Sequence, residues 1–301
     1  MENQALLYKK AKKEVNILNK RSKGEKIAFA VVCGLFMLYS LTMIFALAWM
    51  LINSLKGPLE YAKGTTVSLP ETMRFSNYSL AFETLNVGNN TFADMLLNSI
   101  WYTLLGVGLT CFVPAVTGYV LAKYEFKGKQ IIFTLAILSM TLPIVGGTAA
   151  YMRLMHRLDL FDSPMYVVVA NLGGFSGTFL VYNAFFKGVS WSYAEAAILD
   201  GANPFIIFFR IMLPQAKSII LTYAITNAIA FWNEYQAIIL YLPSFPTIAS
   251  GLFEFKANAT RMANYPVYFA GLIISMIPTL ILFSAFSGRI MTSLSVGGLK
   301  G

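Results

Sequence analysis

SYAEAAILDGANPFIIFFRIMLP, residues 192–214, carries more structural instruction than any other stretch of this chain. Ser192 and Glu195 have the S-x-x-E spacing of a capping box, in which side chains satisfy the free amides of a helix start. Ala196, Ala197, Ile198 and Leu199 extend that helix with small and apolar residues. Asp200-Gly201 stops it, since glycine accepts the left-handed conformation at a helix end. Asn203-Pro204 begins a second helix, asparagine as cap and proline at the first helical position. That helix, Phe205 to Met212, is strongly apolar and is expected to end at Leu213-Pro214. The pattern specifies two short helices with a fixed corner between them. A short helix of small side chains, held at both ends, suits docking into a partner's groove.

On either side of this corner the chain turns apolar for long distances. Of its 301 residues 57% are hydrophobic and only 12% charged, and the mean hydropathy is +0.62. A soluble domain carries about 25% charged residues, so the composition belongs to the membrane class. Six runs are expected to span: 27–52, 95–122, 131–150, 165–186, 218–242 and 267–287. The first holds 26 uncharged residues, about 39 Å of helix at roughly 1.5 Å per residue, enough to cross with tilt. It is too long for a signal-peptide core and no small-residue cleavage site follows, so it is kept in the mature chain. The third run is broken by Pro143 and by Gly146-Gly147.

The net charge of +9 is a topology signal, because the lysines and arginines fall between the runs and mostly on alternate connections. Eight lie in the leader, from Lys9 to Lys26; three follow the second run; Lys187, Arg210 and Lys217 follow the fourth; Arg289 and Lys300 close the chain. Those 16 share one side, against seven on the other: Lys56, Lys63, Arg74, Arg153, Arg157, Lys256 and Arg261. With an even number of spans, both termini and the 187–217 connection are expected in the cytoplasm. The domain reading is a basic segment at 1–26, a membrane domain at 27–288 containing the connector at 187–217, and a tail at 289–301. No basic patch for nucleic acid follows from this spacing.

Cys33 and Cys111 both sit inside apolar runs, and His156 has no histidine or cysteine at ligand spacing, so neither a disulfide framework nor a metal site is expected. A nucleotide site is missing as well. A P-loop needs Gly-x4-Gly-Lys-Ser/Thr to surround the phosphates, whereas Gly128-Lys129 is followed by Gln130 and lacks the upstream glycine.

Glu195-Ala196-Ala197, Asp200-Gly201-Ala202, Phe208, Ile211 and Leu213-Pro214 resemble the EAA motif of ABC importer permeases at that family's spacing. Ser218 stands where the family usually has a proline, a small departure. The likeness extends from about Asn77 to the end. Asn77-Tyr78, Asn98-Ser99, Gly118-Tyr119-Val120-Leu121-Ala122-Lys123 with Phe126 and Gly128-Lys129, and Trp232-Asn233-Glu234 look like carbohydrate-uptake permeases. Gly297-Gly298-Leu299-Lys300-Gly301 is similar to the GGxKG end of the smaller permease of maltose-type systems. The resemblance implies an all-α polytopic fold with six transmembrane helices in a bacterial or archaeal cell membrane. It further implies a second, paralogous permease as heterodimer partner, two ATP-binding subunits, an extracellular solute-binding protein and a sugar substrate. The chain would carry no catalytic residue and no cofactor, its partners binding the ATP.

Each candidate residue has a structural reading beside its functional one. Glu195 caps a helix, or docks with Ala196, Ala197, Asp200, Gly201, Ala202, Leu213 and Pro214 against the ATPase; the two are compatible. Trp232, Asn233 and Glu234, with Asn227, either border a translocation path or are interface aromatics and interhelical hydrogen-bonders, the role also open to Asn98, Asn171 and Asn183. Gly173 and Gly177 have the spacing that lets helices approach closely, within the subunit or between permeases. His156 reads as a solvated loop residue. The tail residues Gly297, Gly298, Lys300 and Gly301 are a frayed end or, on the resemblance alone, reach between the ATPase subunits. Two other function classes fit the residues less well. A secondary transporter of a small polar solute often shows repeated halves, and no repeat is evident. An intramembrane enzyme needs a catalytic pair at depth, and no span holds an aspartate, a zinc motif or a serine–histidine pair.

Overall fold

The computed structural model describes residues 23–64, 66–142, 146–262 and 264–296. Among them the chain is helical, with one isolated bridge between Val87 and Asn90 and no strand. Among the described residues three helices are long and apolar enough to cross a bilayer: α1 (Lys23–Ser54), Phe92–Lys123 and the last helix, Tyr265–Val296. A short α2 (Pro58–Ala62) and α3 (Ser76–Thr84) lead from α1 into α4 (Phe92–Lys123). Helix α4 starts three residues ahead of its expected span because Thr91 and Asp94 cap it reciprocally: Thr91 Oγ1 accepts from the Asp94 amide, and the Asp94 carboxylate accepts from the Thr91 amide.

The middle runs are less simple than their hydropathy suggests. The 131–150 run divides into α5 (Lys129–Thr141) and α6 (Thr148–Arg157), and Pro143 lies outside the described residues. The 165–186 run is two helices, α7 (Met165–Asn171) and α8 (Gly177–Gly188), separated at Leu172–Ser176. After the connector come α9 (Ser192–Leu199) and α10 (Pro204–Gln215); α10 makes a 74° bend with α11 (Lys217–Trp232), and a fourth crossing results if that bent pair is one span. The 218–242 run is likewise interrupted, since α11 stops at Trp232 and α12 (Gln236–Tyr241) starts after the three residues 233–235. Helices α13 (Ile248–Met262) and α14 (Tyr265–Val296) complete the chain.

Helix α4 is the central post, and small residues decide what leans on it. At Gly118 an added Cβ would lie 2.8 Å from Tyr182 Cβ and 3.0 Å from the Asn183 amide nitrogen, so α8 packs backbone to backbone there. Asn183 Nδ2 donates to Gly118 O across that seam at 3.2 Å. Gly106 similarly makes room for the Phe231 ring of α11. Apolar surface gains little by leaving lipid, so close packing and interhelical hydrogen bonds are what hold such contacts. Of the expected glycine pair, Gly173 and Gly177 face open space; it is Gly174 that packs, its carbonyl accepting from Thr117 Oγ1 at 2.7 Å. The pair lies in and beside the α7–α8 break, and a GxxxG spacing makes a contact ridge only along a continuous helix. Helix α1 is exposed along most of its length and rests on α14 through Trp49 against Phe269, ring centroids 5.3 Å apart.

Candidate functional site

The connector begins at a tertiary clamp. Lys123, at the end of α4, donates its ammonium to Val189 O and lies 6.0 Å from the centre of the Trp191 ring, which also meets Tyr124 edge-on at 6.0 Å. With Trp191 held there the helix starts one residue earlier than expected. Trp191 occupies the cap position, the Glu195 amide donates to Trp191 O at 3.1 Å, and Ser192 is already inside the helix. The expected Ser192–Glu195 capping box is therefore absent. Ser192 Oγ is 2.7 Å from Ser190 Oγ instead, and the Glu195 carboxylate stands exposed in the first turn, where it complements the helix dipole.

The far end of α9 follows its glycine. Gly201 sits at φ +81°, its amide donates to Ile198 O at 2.9 Å, and the Ala202 amide reaches back to Ala197 O at 2.9 Å. That pair of bonds is a Schellman closure. Asn203 Oδ1 then accepts from the Ile206 amide at 2.9 Å, with Pro204 at the first position of α10. Residues Ile207–Met212 widen to π-helical turns, and the helix runs on past Leu213-Pro214 to Gln215 before bending at Ala216.

The corner has an anchored side and a presented side. Ala194, Ile207, Phe208, Met212 and Ala216 are buried with Tyr119 of α4 and Phe186 of α8, Tyr119 lying 4.9 Å from Phe208 and 5.4 Å from Phe186. Ala197, Ala202 and Leu213 pack against that cluster at its margin. Facing outward are Glu195, Ala196, Asp200, Gly201, Leu199 at 88% exposure and Phe205 at 75%, with Pro214 exposed on α10. Large apolar side chains thus stand clustered beside carboxylates on one exposed corner.

The second group of candidates does not form one site. Asn227 Nδ2 donates to Thr110 Oγ1 at 3.0 Å and ties α11 to α4. Trp232 is buried, its Nε1 donating to Ser275 O of α14 at 2.9 Å. Asn233 turns back onto Ile229 O at 2.7 Å, and Glu234 Oε1 caps α12 by accepting from the Ala237 amide at 2.9 Å. Trp232 and Asn233 line a cavity of about 220 Å³ beside the stacked pair Tyr235–Phe253 (4.7 Å, 20°). Glu234 lines a different one, about 420 Å³, with Tyr102, Tyr151, Tyr166, Asn171 and Phe231. The tyrosines were not legible as a set, because they come from three helices and each alone reads as an interface aromatic.

The other candidates have structural partners. Asn98 Nδ2 donates to Pro246 O and its Oδ1 accepts from Trp101 Nε1; Asn171 Nδ2 donates to Val167 O. His156 is exposed and stacks on Phe161 at 4.0 Å. Among the described residues no three histidines, cysteines or carboxylates group as a metal site. The tail residues Gly297, Gly298, Lys300 and Gly301 lie outside the described residues.

Comparison with known proteins converges on one family. Residues 115–295, from mid-α4 through the connector into α14, match the model of the binding-protein-dependent transport system inner membrane component. The diacetylchitobiose uptake system permease protein of Streptomyces coelicolor is 26% identical over 90% of this chain and 89% of its own. The arabinooligosaccharides transport system permease protein of Bacillus subtilis is 29% identical over 88% and 94%. A chain in the crystal structure of a bacterial ABC transporter involved in the import of the acidic polysaccharide alginate has the same fold, with a TM-score of 0.71 at 22% identity over 89% of this chain and 98% of that one. With the anchored corner inside the matched region, the chain belongs to the inner membrane components of binding-protein-dependent transport systems, permease subunits of ABC transporters.

Proposed function

We propose that this chain is one of two permease subunits of an ATP-driven importer, forming half of the translocation path for a sugar or oligosaccharide. The single observation that carries the reading is the rigid corner of α9 and α10, buried on α4 and α8 and presenting Glu195, Leu199, Asp200 and Phe205 outward. Its partner is an ATPase subunit: the chain has no P-loop of its own, and the segment matches the EAA pattern. The chain thus binds ATP only through its partners and supplies no catalytic residue. Carbohydrate as cargo is supported by the names of the relatives, uptake systems for diacetylchitobiose and arabinooligosaccharides.

In this reading the six apolar runs make six crossings, the third to fifth as broken helices, with both termini and the connector in the cytoplasm of a bacterial or archaeal cell. A second, paralogous permease completes the path. An extracellular binding protein loaded with sugar docks on the outer connections at 56–94 and 243–266; a solved structure of similar fold was obtained with an alginate pentasaccharide-bound periplasmic protein (TM-score 0.63, 14% identity). ATP closes the ATPase dimer, and α9, seated in it, carries that motion to the spans. The tail at 297–301 reaches between the ATPase subunits. Such a switch moves only by the partners' differential affinity for its two states. Glu195→Ala is expected to abolish sugar uptake while the chain still inserts. If uptake and co-purification of the ATPase both survive Glu195→Ala and Gly201→Asp, the docking assignment is wrong.

A further inference from the structure

The cavity beneath the end of α11 gathers aromatic and polar side chains from several helices. Six side chains converge there: Tyr102 and Phe231, their rings 5.5 Å apart, then Tyr151, Tyr166, Asn171 and Glu234. Tyr166 is fixed from behind by Tyr241, stacked at 5.0 Å, and Tyr151 meets the same Tyr241 ring edge-on at 5.2 Å. The rings are thus set by their neighbours. Their polar ends are another matter.

Tyr102 is 3% and Tyr166 6% exposed, yet neither hydroxyl has a hydrogen-bond partner among the described residues, and neither is sealed from the cavity. The Tyr151 hydroxyl is in the same position. Buried tyrosines usually find a protein partner for their O–H; these three instead open onto the cavity. Three phenols without a protein partner around one space leave their donors and acceptors free for whatever enters it. Glu234 offers an acceptor, held in place because one of its oxygens also caps α12.

The donor set narrows the chemistry. Phenols donate and accept, the Asn171 side chain has an amide oxygen left over from its bond to Val167, and the carboxylate only accepts. Ring faces cover the apolar C–H surface of a sugar. No lysine or arginine lines the cavity, and the one charge is negative, so a uronate would meet repulsion. At about 420 Å³ the space falls in the roughly 300–1,000 Å³ range of small-molecule pockets. We infer that the Tyr102–Tyr151–Tyr166–Glu234 cavity is a subsite for one neutral, hydroxyl-rich sugar ring during passage. The inference rests on the importer reading above.

The test is uptake by cells making the complete importer with this chain as wild type, Tyr102→Phe, Tyr166→Phe or the double variant. The probes are radiolabelled maltose, cellobiose and melibiose, with choline as a cation that aromatic rings and a carboxylate would also accept. Each Tyr→Phe change keeps the ring and removes one hydrogen bond, which corresponds to about a fivefold fall in maximal uptake of whichever disaccharide is carried. The half-saturating concentration should move less than about twofold, since capture occurs on the binding protein, and co-purification of the partner subunits should not change. Disaccharide uptake at wild-type rate by the double variant overturns the subsite and leaves the importer reading standing. A fall in uptake that tracks loss of the assembled complex also overturns it, because the tyrosines would then be structural. Wild-type uptake of choline, or of none of these probes, overturns both.

Discussion

Gly201 closes α9 at φ +81° with nothing within 4 Å of where a Cβ would stand, so within this chain a side chain there costs conformation and nothing else. For alanine the left-handed region costs about 1–2 kcal/mol. The closure is itself worth little more. Its two hydrogen bonds, Gly201 to Ile198 O and Ala202 to Ala197 O, contribute on the order of 1 kcal/mol each. A margin near 2 kcal/mol leaves about 3% of molecules with the corner open, and a 1.5 kcal/mol penalty raises that to about 30%. Asparagine visits the left-handed region more readily, so Gly201→Asn should open only about 10%. Valine, for which a positive φ is a true outlier, should open most of it.

Two assays read this ordering. Hydrogen exchange at the 201 and 202 amides reports opening directly, and protection should fall in the order Gly, Asn, Ala, Val. Sugar uptake per inserted molecule should follow the same order if a closed corner is what transmits work. Equal protection in all four proteins would refute the conformational reasoning outright. Protection in the expected order but uptake falling with side-chain volume, asparagine below alanine, would show that a partner surface lies against Gly201 and that contact dominates.

The other predictions concern neighbouring devices. Asn203→Ala removes the acceptor for the Ile206 amide and should cost about 1 kcal/mol, while Asn203→Asp keeps the cap; proteolysis of the connector in the purified chain distinguishes them. Gly118→Val drives a side chain into Tyr182 and Asn183 and should lower the unfolding midpoint in detergent by the equivalent of at least about 1–3 kcal/mol, whereas Gly108→Val, on the same helix with open space around it, should be tolerated.

What the sequence disclosed and what it withheld divide along a physical line. Gly201 and Asn203-Pro204 announce themselves because their roles are backbone conformations that few residues adopt, and both stand where expected. Ser192 and Glu195 announce a capping box equally well, yet Trp191 docks on Tyr124 and Lys123 and moves the helix start. Local spacing cannot see a tertiary contact made from nearly seventy residues away. Pro143 and Gly146-Gly147 announced the break in the 131–150 run, but those in the 165–186 and 218–242 runs were hidden for a different reason. Hydropathy measures compatibility with lipid, whereas helix continuity depends on where backbone hydrogen bonds go. At Gly174 a freed carbonyl is met by Thr117, and at 233–235 Glu234 serves as cap, so both breaks are satisfied inside the protein. The tyrosine cavity required the fold itself, since α4, α6 and α7 meet only in space.

Helix α11 is the element on which these features depend together. Its start is the bend at Ala216, buried among the side chains that anchor the connector, and its end is the break that aims Glu234 into the tyrosine cavity. Sixteen residues of α-helix span about 24 Å, with no glycine or proline between Lys217 and Trp232 to absorb a bend. Its sides are held by Asn227 to Thr110 on α4 and by Trp232 to Ser275 on α14, bonds between single side chains and two neighbouring posts. A displacement imposed at Leu213–Gln215 therefore has two outlets: the π-helical turns of Ile207–Met212, which can take up a change of register, or α11 as a whole. If the π turns absorb it, the cavity never registers the partner; if α11 moves, Glu234 must shift against Tyr102 and Tyr166, which stand on other helices. Under the proposed coupling, transmission depends on the stiffness of six residues relative to sixteen, and a substitution that regularises 207–212 to α-helix bears on it without touching either site.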